Sequence, residues 1–103
     1  MKVRRNSGYS VEVARHYVDN NSPLRSLSSD LESQYRYEND KRTDEVIGYK
    51  AWFTQEGLDP FAVKFEHQIK LPKYMSLIEF DNLQAIEIRY NVYFKADGLS
   101  EVK

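Results

Sequence analysis

The chain has 103 residues, 41% of them hydrophobic and 30% charged, with a formal net charge of -1 and no cysteine. This length supports one domain with a modest core, and the composition is that of a folding chain rather than a disordered one. The missing cysteine excludes disulfide scaffolds, thiolate zinc sites and cysteine nucleophiles, and the near-neutral charge excludes a uniformly basic surface while leaving room for a local basic groove.

A chain without cysteine suits a reducing cytoplasm, and no apolar run approaches membrane-spanning length. A cytoplasmic protein with no membrane partner is therefore expected. Aromatic residues make up 14%, with Tyr 8 and Phe 5. Such a content favours pleated, half-buried surfaces and binding faces.

Residues 1–8, "MKVRRNSG", read as a flexible basic tail with no apolar stretch of the kind that marks a secretory signal. Residues 9–103 are expected to form a single β-barrel domain. "YSVEVARHYV" (9–18) allows two readings: alternation puts Val11, Val13 and Tyr17 on one face, while helical spacing groups Val11, Ala14 and Val18. The β-branched residues and tyrosines favour a strand. "DNNSPLRSLSSD" (19–30) is loop by composition, although Leu24, Leu27 and Leu31 have the spacing of a short helix from Ser26.

In "SQYRYEND" (33–40) Tyr35 and Tyr37 alternate, and "ENDKRTDE" follows as a turn or long hairpin loop. A strand from Val46 to Thr54 carries Lys50 and Trp52 on one face. A register with Val46 and Trp52 inward would make the tryptophan core instead. "QEGLDP" is a turn, with Gly57 for positive φ and Pro60 where a strand can begin. Phe61 to Ile69 is the clearest strand: Phe61, Val63, Phe65 and Ile69 share its apolar face, and His67 on that face reads as a core histidine. "LIEF" is a further strand and "DNLQ" a turn. "AIEIRYNVYFKA" then alternates as one strand, with Ile86, Ile88, Tyr90, Val92 and Phe94 on one side and Glu87, Arg89, Asn91, Tyr93 and Lys95 on the other. "ADGL" turns again. Five or six short strands with at most one short helix predict an all-β fold, specifically a small antiparallel OB-like barrel.

Catalytic patterns are lacking. His16 and His67 have no metal-ligand spacing, no glycine-rich phosphate loop occurs, and the serines at 26, 28, 29 and 33 form no nucleophile elbow. Asp44 and Glu45 lie in a polar turn and read as solvated. A non-catalytic protein with no cofactor and no metal is expected. What the chain does offer is cations interleaved with aromatics on strands: Lys50 with Trp52, Lys64, and Arg89 with Tyr93 and Lys95. Tyr35 and Tyr37 precede the polar loop, and Arg42 lies within it. Cations that follow phosphates, beside rings that stack on bases, are what single-stranded nucleic acid requires. The plainer reading is a solvated sheet face on which Glu66, Glu87 and Glu79 pair with Lys64, Arg89 and Lys50.

The succession "DKRTDEVIGYKAWF", "FAVKFEHQI", "LIEFDNL" and "VYFKADGL" resembles a group of small proteins of Gram-positive mobile elements, plasmids and phages. The resemblance covers about residues 35–102, and "FKADGL" is its most telling piece. It implies an OB-fold-type single-stranded DNA-binding protein, accessory to replication or transfer of a mobile element. The matching positions are Lys50 and Trp52 after "GY", and Tyr93 and Lys95 before "AD". The competing expectation is a protein–protein interaction module, such as a phage or plasmid accessory or inhibitory protein using exposed tyrosines. Edge strands also offer a route to a homodimer. A small enzyme or ligand binder would need a deep pocket joining a histidine to a carboxylate. DNA against RNA is left open by the residues themselves.

Overall fold

Residues 8–102 are described by a computed structural model. The expected basic tail, apart from Gly8, lies outside the described residues. Residues 11–17 resolve the first ambiguity in favour of a helix, α1 (Val11–Tyr17). Ser10 is extended at its N-cap, and its Oγ accepts from the N–H groups of Glu12 and Val13. That cap supplies partners for two otherwise unsatisfied donors. Ala14 and Val18 then point into the core. The strand expected over 9–18 is therefore wrong: local β propensity loses to a cap and an apolar stripe at helical spacing.

Eight strands follow: β1 (Leu24–Ser26), β2 (Glu32–Glu38), β3 (Lys41–Gln55), β4 (Phe61–Phe65), β5 (Leu77–Asp81), β6 (Gln84–Ile88), β7 (Asn91–Lys95) and β8 (Gly98–Glu101). They form one sheet in the order β6-β7-β4-β3-β1-β5-β8, and β2 pairs with β3 beside β1. All pairs are antiparallel except β4 with β7. The fold is thus mostly β with one short helix, but not the expected five- to six-stranded antiparallel barrel. The sheet is mixed and open, ending at β6 and β8 among the described residues.

Three local outcomes explain the extra strands. Asn39 and Asp40, both with positive φ, make a two-residue turn between β2 and β3. Both residue types tolerate this conformation. The expected long polar loop is therefore mostly strand. The run 85–96 is two strands, not one, because Arg89 and Tyr90 turn the chain and Ile88 pairs with Asn91. A two-residue turn pairs an even position with an odd one, so Ile86 and Phe94 fall on opposite faces. Finally, Leu24–Ser26 adds a short strand inside the stretch expected as loop, and the short helix suggested from Ser26 does not form.

The inner face is apolar. Ala51 and Phe53 of β3, Val63 and Phe65 of β4, Ala85 of β6 and Phe94 of β7 are buried together with Leu24 and Ile78. Phe53 sits at the centre, 4.7 Å edge-on to Phe80, 6.2 Å from Phe65 and 6.5 Å from Phe61. Phe80 belongs to β5, two places away from β3, so this contact ties the two strands across β1. Gln55 is buried and satisfied: Nε2 donates to the Asp19 and Ser22 carbonyls, and Oε1 accepts from the Asp19 N–H. One side chain thereby fixes the loop after α1. β4 ends at Phe65, so His67 is exposed and is not the core histidine expected.

Candidate nucleic-acid interface

Strand alternation on β3 sends Ala51, Phe53 and Gln55 inward, and so turns Lys50 and Trp52 outward. Trp52 is 42% exposed and is not core. Its backbone N–H donates to Ser28 Oγ at 2.7 Å. On β4, Val63 and Phe65 point inward, leaving Ala62 and Lys64 outward. On β7 the inward residue is Phe94, leaving Tyr93 and Lys95 outward.

Register brings these residues together. Lys50 pairs with Lys64, and Lys64 with Lys95, so three lysines stand side by side on three adjacent strands. Neighbouring strands lie about 4.8 Å apart, so the three side chains are rooted within about 10 Å. In the next row Trp52 pairs with Ala62, and Ala62 stands beside Tyr93. Tyr93 pairs in turn with Ile86. A tryptophan and a tyrosine therefore flank a position that carries only a methyl group.

The result is a recess of about 350 Å³ bordered by Trp52, Ala62, Tyr93, Lys50, Lys64 and Tyr9. A second recess, about 640 Å³, adjoins it through Tyr9 and Lys64 and adds Lys95, Ile47, His67, Glu66 and Asp97. Tyr9 arrives from outside the sheet: backbone hydrogen bonds between Ser10 and Ala85 dock the incoming chain on the β6 edge. Burial, and then the neighbouring Tyr93, hold the Tyr9 phenol above its ordinary value of 10, so it stays a neutral donor.

The cations are arranged with the rings. Lys50 Nζ lies 5.6 Å from the Trp52 ring centroid, and Lys95 Nζ 4.7 Å from that of Tyr9. Both are within cation–π range. Lys50 also pairs with Glu32 at 3.8 Å. The pairings of Glu66, Glu87 and Glu79 with Lys64, Arg89 and Lys50 do not form among the described residues. Glu87 instead accepts from the Tyr17 hydroxyl of α1, which raises the Tyr17 pKa.

Five of the nine sequence-predicted residues thus share one face: Lys50, Trp52, Lys64, Tyr93 and Lys95. Arg89 does not, because it occupies the β6–β7 turn. Tyr35, Tyr37 and Arg42 lie on the β2–β3 ribbon and border neither recess. There Arg42 stacks on Tyr35, its guanidinium carbon 4.6 Å from the ring centroid. Two residues that matter were missed. Ala62 had a legible signal, being a small residue at an outward position between large ones. Tyr9 had none, because only the tertiary bridge at Ser10 brings it to the groove. No family model, curated protein or solved structure matches the chain.

Proposed function

We propose that this protein binds single-stranded DNA without catalysis, on the outer face of β3, β4 and β7. The observation that carries this reading is the row Lys50–Lys64–Lys95 beside the slot between Trp52 and Tyr93. Like charges directly opposite one another weaken a sheet, and Lys64 in the middle of the row has no carboxylate partner among the described residues to offset this. A phosphodiester backbone offsets that repulsion. A base entering over Ala62 stacks on Trp52 or Tyr93, at roughly 1–3 kcal/mol per base and with little regard to sequence. The resemblance over residues 35–102 supports a setting in replication or transfer of a mobile element, in the cytoplasm.

The test is a titration with oligo-dT that follows Trp52 fluorescence at several salt concentrations. Saturable quenching is expected. Three phosphate contacts give a slope of log affinity against log salt of about -2, at about 0.7 per contact for a single strand. An unchanged tryptophan signal, together with unchanged anisotropy of a labelled oligonucleotide, overturns the proposal.

A protein partner is the competing reading, and one observation favours it. The ribbon formed by β2 and the first half of β3 has unpaired outer edges among the described residues and exposes Tyr37, Val46 and Ile47. An edge of this kind accepts an added strand, including one from a second copy. Such an interface depends on salt far less than phosphate binding does.

A further inference from the structure

We infer that the β6–β7 turn, Arg89–Tyr90, is a second contact for the same DNA strand, with Tyr90 taking a base and Arg89 a phosphate. The inference rests on the binding reading above and extends it to residues outside both recesses.

Backbone conformation is the starting point. Ile88 pairs with Asn91, so Arg89 and Tyr90 are the two central residues of the hairpin turn. Arg89 has φ 58, and Tyr90 is not among the residues with positive φ. Positive φ at the first central position alone is the type II′ pattern, which calls for glycine there. Elsewhere the chain meets such demands with tolerant residues: Asn39, Asp40, Asn82 and Gly57. Met75 is the other exception, with φ 66. Its strain has a structural reason, because its N–H donates to the Ser26 carbonyl and its carbonyl accepts from Arg25 Nη1. Arg89 has no hydrogen bond or ion pair of its side chain among the described residues. The hairpin requires this conformation but not an arginine in it: glycine would turn the chain without strain, so the side chain itself points to a role outside the fold.

The neighbouring residue tells the same way. Tyr90 is 100% exposed and contributes nothing to the core. Arginine offers a planar fork for phosphate oxygens, and tyrosine a rigid face for a base. Position completes the case. The turn closes the two strands that hold Tyr93, Lys95 and Ile86. Along β7 it lies about 10 Å beyond Tyr93, at about 3.3 Å per residue. At about 3.4 Å per stacked nucleotide, a strand leaving the Trp52–Tyr93 slot reaches the turn in about three nucleotides.

The experiment compares labelled oligo-dT of three and of about eight nucleotides: with one base in the slot the first extends only about 7 Å and stops short of the turn, and the second lies inside the range of small single-strand sites. The proteins are the wild type, Arg89→Gly and Tyr90→Ala, and each is also melted thermally. Arg89→Gly should melt higher than wild type yet bind the longer oligonucleotide more weakly, with a salt slope shallower by about 0.7. Tyr90→Ala should weaken the longer one roughly tenfold, the loss of one stack. Both should bind the shorter one as wild type does. If either variant binds the longer oligonucleotide like wild type, or loses equally at both lengths, the turn contact is overturned while slot binding stands. Failure of the wild type to bind either length overturns both readings.

Discussion

Lys64 is the residue whose environment is hardest to explain by folding alone. It stands between Lys50 and Lys95 and has no carboxylate within ion-pair distance among the described residues. Gly48 makes room for its stem, since a Cβ there would come within 3.0 Å of Lys64 Cε and 3.2 Å of the Phe65 carbonyl oxygen. Lys64→Gln removes the middle charge of the row. Thermal melting should then show a gain of roughly 0.2–1 kcal/mol, the scale of one cross-strand pair. Affinity for oligo-dT should fall, and its salt slope should become shallower. A variant that loses stability as well as binding would make Lys64 a structural residue. That Lys50 and Trp52 share a face was legible as a period of two along one strand; that the face is outward was not, since it depends on Ala51 and Phe53 entering the core. That Lys64 and Lys95 would join them was not, because register between strands distant in sequence is set by which residues the core takes inward.

At the scale of elements, α1 depends on very little. It has 7 residues, below the length at which an isolated helix persists in water, so the cap and the packing of Ala14 and Val18 hold it. Ser10→Ala removes the side-chain acceptor for two N–H groups but keeps the backbone bridge to Ala85. Denaturant unfolding should show a loss of about 1 kcal/mol, the usual worth of an N-cap. No measurable loss would mean that the bridge, not the cap, places the helix. The β6–β7 hairpin shows the opposite limit on sequence reading. Nothing in "IRYN" announces a turn, since neither glycine nor asparagine occupies its first central position. Alternation on both sides of it reads as one uninterrupted strand.

Over the whole molecule, the β2–β3 ribbon sets the shape. The radius of gyration is 14.8 Å, with extents of 41 × 41 × 24 Å. A compact domain of about 100 residues would have a radius near 13 Å. The outer half of the ribbon, residues 36–45, contributes no buried residue, and its ion pairs are internal and exposed, Arg36 with Glu38 and Glu45. Tyr35 and Val46 are already cross-strand partners, so an Asn-Gly turn can join them in place of residues 36–45. That shortened chain should melt cooperatively within about 4 °C of the full chain, a change under about 1 kcal/mol. It should also keep its oligo-dT affinity. Lost affinity in a folded, shortened chain would move the binding surface onto the ribbon.

The sequence by itself determined that this chain is mostly β, has one short helix at most, and puts a lysine and a tryptophan together on one face of a strand. Those are consequences of alternation and propensity, which act over a few residues. Tertiary structure decided that residues 11–17 are helical, that the sheet is open and mixed, and that three lysines become neighbours beside a slot floored by Ala62. Each of those outcomes depends on burying Phe53, Phe65, Val63, Phe94 and Phe80 in one core. Burial acts on the chain as a whole, and it overrides local preference wherever the two disagree.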